Sequence, residues 1–230
     1  MLAVMIYITG DTHGGIDMAK LDDTHFRGQF ALTKEDYLII AGDFGFIWQN
    51  NDKEREWLEI FEKLPYTTLF IDGNHENFEL LNSYPEDEWQ GGMIHRINDS
   101  LFHLMRGQVF EIEEKRFFTF GGGRSLDRAF RRPQISWWPE EMPSAAEFQE
   151  GLDNLERCQW KTDYVITHAG PAKIASGVSA LFGTDSLVTY LQAVADRLEF
   201  RRWYFGHYHV DREINSKFRA LYQDVVPLGG

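Results

Sequence analysis

The chain has 230 residues, 43% hydrophobic and 15% aromatic, enough for a sizeable core in one large domain spanning 1–230 and inconsistent with disorder. Its formal net charge of -13 argues against indiscriminate binding to nucleic-acid backbones or anionic membranes, which relies on Lys and Arg neutralising phosphates. A single cysteine, Cys158, can form no internal disulfide, so the expected setting is a reducing cytoplasm, and redox chemistry has no support.

The first apolar run, 2–8, is far too short to span a bilayer, has no basic flank and leads straight into Asp11, so it reads as a strand over 4–8. Residues 17–28 are weakly helical. Runs 37–41 and 68–71 are continuous and apolar, as in strands buried on both faces, and between them 52–64 places Trp57, Ile60, Phe61 and Leu64 at helical spacing. Strand, helix, strand implies a parallel pair. A short helix is expected between His75 and Pro85. From Ile94 the pattern becomes four short strands, 94–97, 101–104, 108–113 and 116–120, which read as an antiparallel meander. Ser144 and Glu147 form a capping box that opens a helix, and 184–198 is a second helix with Leu187, Leu191, Val194 and Leu198 on one face. Strands at 164–166 and 203–205 follow them. Further strands lie around 218–222 and 225–226, before a Gly229-Gly230 tail expected to fray. Helix–strand alternation at both ends predicts an α/β fold of two packed mixed β-sheets flanked by helices.

Five of these strands end alike. Gly10-Asp11-Thr12-His13, Gly42-Asp43, Gly73-Asn74-His75-Glu76, Thr167-His168 and Gly206-His207-Tyr208-His209 each close an apolar run with Asp, Asn or His. Ligands in open α/β sheets collect beyond the carboxyl ends of strands, so these five ends can converge across nearly two hundred residues of sequence. The pooled oxygen and imidazole donors suit Mn, Fe, Zn or Ni better than Ca or Mg. Two divalent ions against Asp11 and Asp43 leave the site formally about +2, suited to a bridging hydroxide and a phosphate ester.

In order and spacing these five elements resemble the motifs of the calcineurin-like metallophosphoesterases. That resemblance implies that Asp11, His13 and His209 hold a first metal, that Asn74, His168 and His207 hold a second, and that Asp43 bridges them. It implies that His75 faces a phosphate-ester substrate as general acid or charge stabiliser, that manganese is the leading metal, and that the product is a hydrolysed monoester or diester. A catalytically weak scaffold and a nuclease are the alternatives; every expected position is filled, which weighs against the scaffold.

The resemblance has gaps. The protein-phosphatase branch carries an Asp and an Arg soon after the bridging Asp, where this chain has Phe44-Gly45-Phe46-Ile47-Trp48. Position 77, an Asp in some branches, is Asn, which leaves open what orients His75. Gly121-Gly122-Gly123-Arg124-Ser125, followed by Arg128, Arg131 and Arg132, is a glycine-rich turn with four arginines in nine residues. Backbone amides and guanidinium forks grip phosphate, and Arg124 is the candidate substrate contact. Elsewhere the reading is structural: His25, His95 and His103 as ordinary surface or strand residues, Glu35-Asp36 and Glu86-Asp87-Glu88 as solvated loops, Glu76 as structural, Cys158 as a small helix side chain, and Trp137-Trp138-Pro139 as a packing corner.

Overall fold

The computed structural model describes residues 3–181 and 183–229; Leu2, at the head of the first apolar run, and Gly230, in the expected fraying tail, lie outside them. In chain order the strands are Ile6–Thr9 (β1), Tyr37–Ile40 (β2), Thr67–Phe70 (β3), Glu86–Trp89 (β4), Gly92–Asn98 (β5), Leu101–Leu104 (β6), Gln108–Ile112 (β7), Lys115–Phe120 (β8), Tyr164–Thr167 (β9), Arg202–Phe205 (β10), Arg212–Glu213 (β11), Phe218–Ala220 (β12) and Val226–Pro227 (β13). The α-helices are Asp52–Lys63 (α1), Phe78–Leu81 (α2), Ala145–Arg157 (α3), Ala172–Val178 (α4) and Ser186–Arg197 (α5). One sheet has the order β13-β1-β2-β3-β6-β5-β4 and the other β11-β12-β10-β9-β8-β7.

Each sheet is parallel at its centre and antiparallel at its edges. In the first, β1, β2, β3 and β6 run parallel; in the second, β12, β10, β9 and β8 do. Parallel strands buried on both faces need apolar residues throughout, which is why the uninterrupted runs in the sequence became the central strands. Ile8, Ile39, Leu69 and Ile94 from one sheet meet Phe110, Phe117, Ile166 and Tyr204 from the other in a shared core. Outside the first sheet, α1 presses Phe61 onto Phe44, Phe46 and Phe70, with Phe44 and Phe70 stacked at 4.2 Å. Outside the second, Leu155 of α3 and Leu187, Leu191 and Val194 of α5 cover Phe118, Val165 and Trp203. The resulting order of layers, helix, sheet, sheet, helix, is the architecture the sequence predicts.

The parallel registers place the carboxyl ends of β1, β2 and β3 side by side, and those of β8, β9 and β10 likewise. Every motif therefore leaves its strand at one edge of the molecule. The capping box at Ser144 is present in both directions, and Asn51 and Asp185 cap α1 and α5 by accepting from Glu54 and Val188.

Several expectations are corrected. The meander is two hairpins in different sheets: β4, β5 and β6 stay in the first, and the chain crosses at Met105–Gly107 to build β7 and β8 in the second. Glu86-Asp87-Glu88 is not a loop but edge strand β4, where Arg96 pairs with Asp87 at 2.7 Å. Asp36 is buried and accepts the backbone N–H of Met5 and of Thr33, both at 2.7 Å, so it ties the start of β1 to the turn before β2. The weakly helical 17–28 segment contains one 3-10 turn, Met18–Leu21, with a second, Arg27–Ala31, starting at its end; α4 was not foreseen. Trp138 does pack, edge-on to Trp48 at 4.9 Å.

His95 and His103 are buried on adjacent strands, their rings stacked at 5.2 Å with Nδ1 atoms 2.9 Å apart. His103 Nε2 lies 3.2 Å from Asp72, which Arg106 also grips at 2.6 Å. Burial, with His103 beside it, pushes the His95 pKa down to about 4 from 6.5. The unfolded chain therefore takes up this proton well before the folded one does. Stability from His95 is intact above about pH 6.5 and falls away as the pH drops toward 4. Melting scans should show a smaller loss of Tm between pH 7 and 4.5 in His95→Gln than in the wild type; equal losses would place the acid sensitivity elsewhere.

Candidate active site

Beyond β1, β2 and β10 the backbone turns sharply. His13, Asp43, His207 and His209 have φ of 46°, 48°, 69° and 51°, the left-handed region that non-glycine residues rarely occupy. Each such residue costs about 1–3 kcal/mol, sustained only where surrounding structure holds it. Here the turns aim side chains back over the strand ends. Thr12 and His13 N–H both donate to Asp43 O, locking the first turn onto the second.

The side chains that the sequence singled out meet in two groups. Ligating atoms of Asp11, His13, Asp43 and His209 all lie within 4.8 Å of one another. On the other side, His168 Nε2 is 3.2 Å from Asn74 Oδ1 and 3.3 Å from Asp43 Oδ1, and the His168 and His207 rings are 4.8 Å apart. Asp43 belongs to both groups, since its Oδ2 faces His13 Nε2 at 3.2 Å. Its Oδ1 also accepts the His75 N–H at 2.7 Å. Asp11 accepts the His207 N–H at 3.1 Å through Oδ1, while its buried Oδ2, 3.2 Å from His209 Nε2, has no hydrogen bond.

These groups shift one another's charge. Burial opposes ionisation of Asp43, but His168 and His13 hold its carboxyl well below the usual range; burial likewise opposes protonation of His168, which Asp43 and Asp11 nevertheless favour. Burial, with His168 next to it, pushes His207 down to about 3. His75 is also lowered, by burial first; Asp43 opposes and Arg131 adds to the effect. A buried, unsatisfied carboxylate oxygen, a second carboxylate shared by two groups, and the imidazoles around them form a donor set that fits divalent cations of intermediate hardness.

Supporting contacts were invisible in the motifs. His13 Nδ1 is 2.6 Å from Asp17, whose other oxygen accepts from Tyr222 at 2.8 Å, and Tyr222 stacks on His209 at 4.7 Å. His168 Nδ1 donates to Ala41 O at 2.9 Å, leaving Nε2 to face the site. Only the position of Asp17, one helical turn after His13, could have flagged it. Glu76, expected to be structural, is fully buried and accepts from Phe44 N at 2.8 Å and from Gly45 N.

Asp43, Asn74, His75, His207 and His209 line a cavity of about 170 Å³ whose far wall is Arg124, Ser125, Leu126, Asp127 and Arg131. Arg124 lines this wall, half-buried and without an ion pair among the described residues. The arginine against His75 is Arg131, with NH1 and NH2 at 3.4 and 3.2 Å from the two ring nitrogens, itself tethered to Asp127 at 2.8 Å. Arg128 and Arg132 are exposed.

The sequence matches the calcineurin-like phosphoesterase family over residues 4–211, and the chain belongs to that family. The family is one of phosphoesterases. Among solved structures, the fold is similar to that of a Staphylococcus aureus chain described as a candidate 5'-nucleotidase in complex with alpha-ketoglutarate, with a TM-score of 0.52 and 16% identity. The alignment covers 95% of this chain and 48% of that one, so this chain spans about half its length. No curated protein matches the chain in sequence. Among the described residues no helix is long and apolar enough to cross a membrane.

Gly123 sits against the second group so closely that a Cβ there would lie 2.8 Å from His168 Cδ2, 3.0 Å from Asn74 Oδ1 and 3.1 Å from His207 Cε1. Gly123→Ala should lose roughly 1–3 kcal/mol by denaturant unfolding. The control Gly177→Ala, in open space on α4, should be neutral or gain up to about 1 kcal/mol.

Proposed function

We propose that the chain hydrolyses phosphate esters at a dinuclear centre in which Asp11, His13 and His209 hold one divalent cation, Asn74, His168 and His207 hold the other, and Asp43 bridges them. The observation that carries this is Asp43, whose two oxygens point into different ligand groups, 3.2 Å from His13 and 3.3 Å from His168. When bound, a pair of such ions supplies a water acidic enough to attack at neutral pH and positive charge against the phosphoryl oxygens. Manganese is the leading candidate, with iron, zinc or nickel as alternatives that the same donors accept.

The chain's own residues do the rest. Asn74 offers an oxygen without a charge that would repel phosphate. His75, held toward neutrality by burial and Arg131, is suited to donate a hydrogen bond to the leaving oxygen as charge develops there. Arg131 and Arg124, on the opposite wall, grip the remaining phosphate oxygens and align the ester for in-line attack. A cytoplasmic location belongs to the same proposal, supported by the single cysteine.

With added manganese, purified protein should hydrolyse an aryl phosphate, and EDTA should abolish turnover. His75→Ala should lower kcat by roughly 10²–10³-fold, and Asp43→Asn by at least as much. Arg131→Ala and Arg124→Ala should mainly raise KM. Wild-type turnover in Asp43→Asn would exclude the mechanism. Manganese at a hundred times its Kd should also stabilise the fold by about 2.7 kcal/mol per occupied site, and a Tm indifferent to manganese would count against the centre.

A further inference from the structure

Asn74 is the one amide among the seven ligands just assigned. An amide can present its oxygen, which holds a cation, or its NH₂, which does not, and a half-turn about one bond exchanges them. Something outside the motif must fix that choice.

Asn74 Nδ2 lies 3.2 Å from Ser125 Oγ, and Oδ1 lies 3.2 Å from His168 Nε2. Ser125 Oγ in turn donates to Glu141 Oε2 at 2.6 Å, and Ser125 N–H donates to Glu141 Oε1 at 3.0 Å. All three side chains are buried, Glu141 completely. A hydroxyl has one proton, and a carboxylate that accepts on both oxygens takes it. Ser125 Oγ can then only accept, so the Asn74 NH₂ must turn toward it and Oδ1 must turn into the site.

We infer that Glu141 and Ser125 are positioning residues that set the Asn74 amide and thereby the affinity of the second cation site. This rests on the dinuclear reading above. Ser125 reaches the second group through Asn74, and Glu141 acts on it through Ser125. The relay runs from the 3-10 turn Pro139–Glu141, through the loop after β8, to the end of β3.

A simple tether gives a different expectation, because Glu141 also anchors this loop by accepting the Gly123 N–H through its backbone carbonyl at 3.1 Å. Glu141→Gln separates the two. The Ser125 N–H needs an acceptor, so the glutamine oxygen stays at the Oε1 position and its NH₂ faces Ser125 Oγ. The hydroxyl proton is released toward Asn74 and favours the reversed amide, with the NH₂ pointing into the site. Shape and tether survive; the ligand is lost. Ser125→Ala merely leaves the amide undirected.

The test is manganese titration of the purified full chain by calorimetry and electron paramagnetic resonance, with circular dichroism to follow folding. Wild type should bind two ions. Glu141→Gln should weaken the second by roughly 10–100-fold, Ser125→Ala by less, and neither should alter the first. Adding Asn74→Asp to Glu141→Gln should recover the second site, since either face then offers oxygen. Two ions bound with wild-type affinity in both single variants would overturn the relay alone, as would Ser125→Ala proving worse than Glu141→Gln. Fewer than two ions in the wild type would remove the dinuclear reading and the relay with it.

Discussion

Two carboxylates buried where the sheets meet govern this molecule. Asp11 and Asp43 are 0% and 1% exposed, and a buried anion is costly unless donors or positive charge surround it. For Asp43 those partners come from three other places: His13 after β1, the His75 N–H after β3, and His168 after β9 in the opposite sheet. The carboxylate thus joins the two sheets at the edge where their parallel strands end. Left-handed conformation at Asp43 itself and at His13, His207 and His209 around it is the local expense of aiming these groups at one point, and the shared apolar core is what sustains them.

The support extends beyond the last motif. Lys20 is buried with Nζ donating to the carbonyls of Gly10, Asp11 and Tyr222, and burial pushes its pKa down to about 8. Asp211 accepts the N–H groups of Tyr222, Gln223 and Asp224, and β13 pairs antiparallel with β1. Residues past 211, where the family match stops, therefore hold Tyr222 against His209 and Asp17. The C-terminal strands are part of how the site keeps its shape.

What could be read in advance follows from the physics of each element. Continuous apolar runs ending in Asp or His gave away the central parallel strands and the edge where their motifs gather, because strands covered on both faces admit little else. The meander was misread because alternation reveals a strand but not its sheet; only the parallel pairing of β6 with β3 and of β8 with β9 decides that. Asp36 reads as part of a solvated loop, and His95 and His103 as surface or strand residues, because a buried polar group is recognised by its partners, and Met5 for Asp36 and Asp72 for His103 lie 31 residues away in sequence. Ser125 and Glu141 escaped for the same reason: nothing in a serine and a glutamate sixteen residues apart signals a shared proton.

The arginine cluster marks the boundary between composition and geometry. Its composition pointed to a phosphate-binding wall, and Arg124 does line the cavity, yet the residue laid against His75 is Arg131. Its place follows from the tether to Asp127 and from the 3-10 turn Arg128–Phe130 that folds the loop back. An acidic partner would raise the pKa of His75 and let it carry a proton; a guanidinium opposes that charge. In the proposed reaction the positive charge near the leaving oxygen therefore resides on Arg131, while His75 contributes a directed N–H. The division of labour between charge and hydrogen bond replaces the carboxylate that this chain lacks behind its histidine.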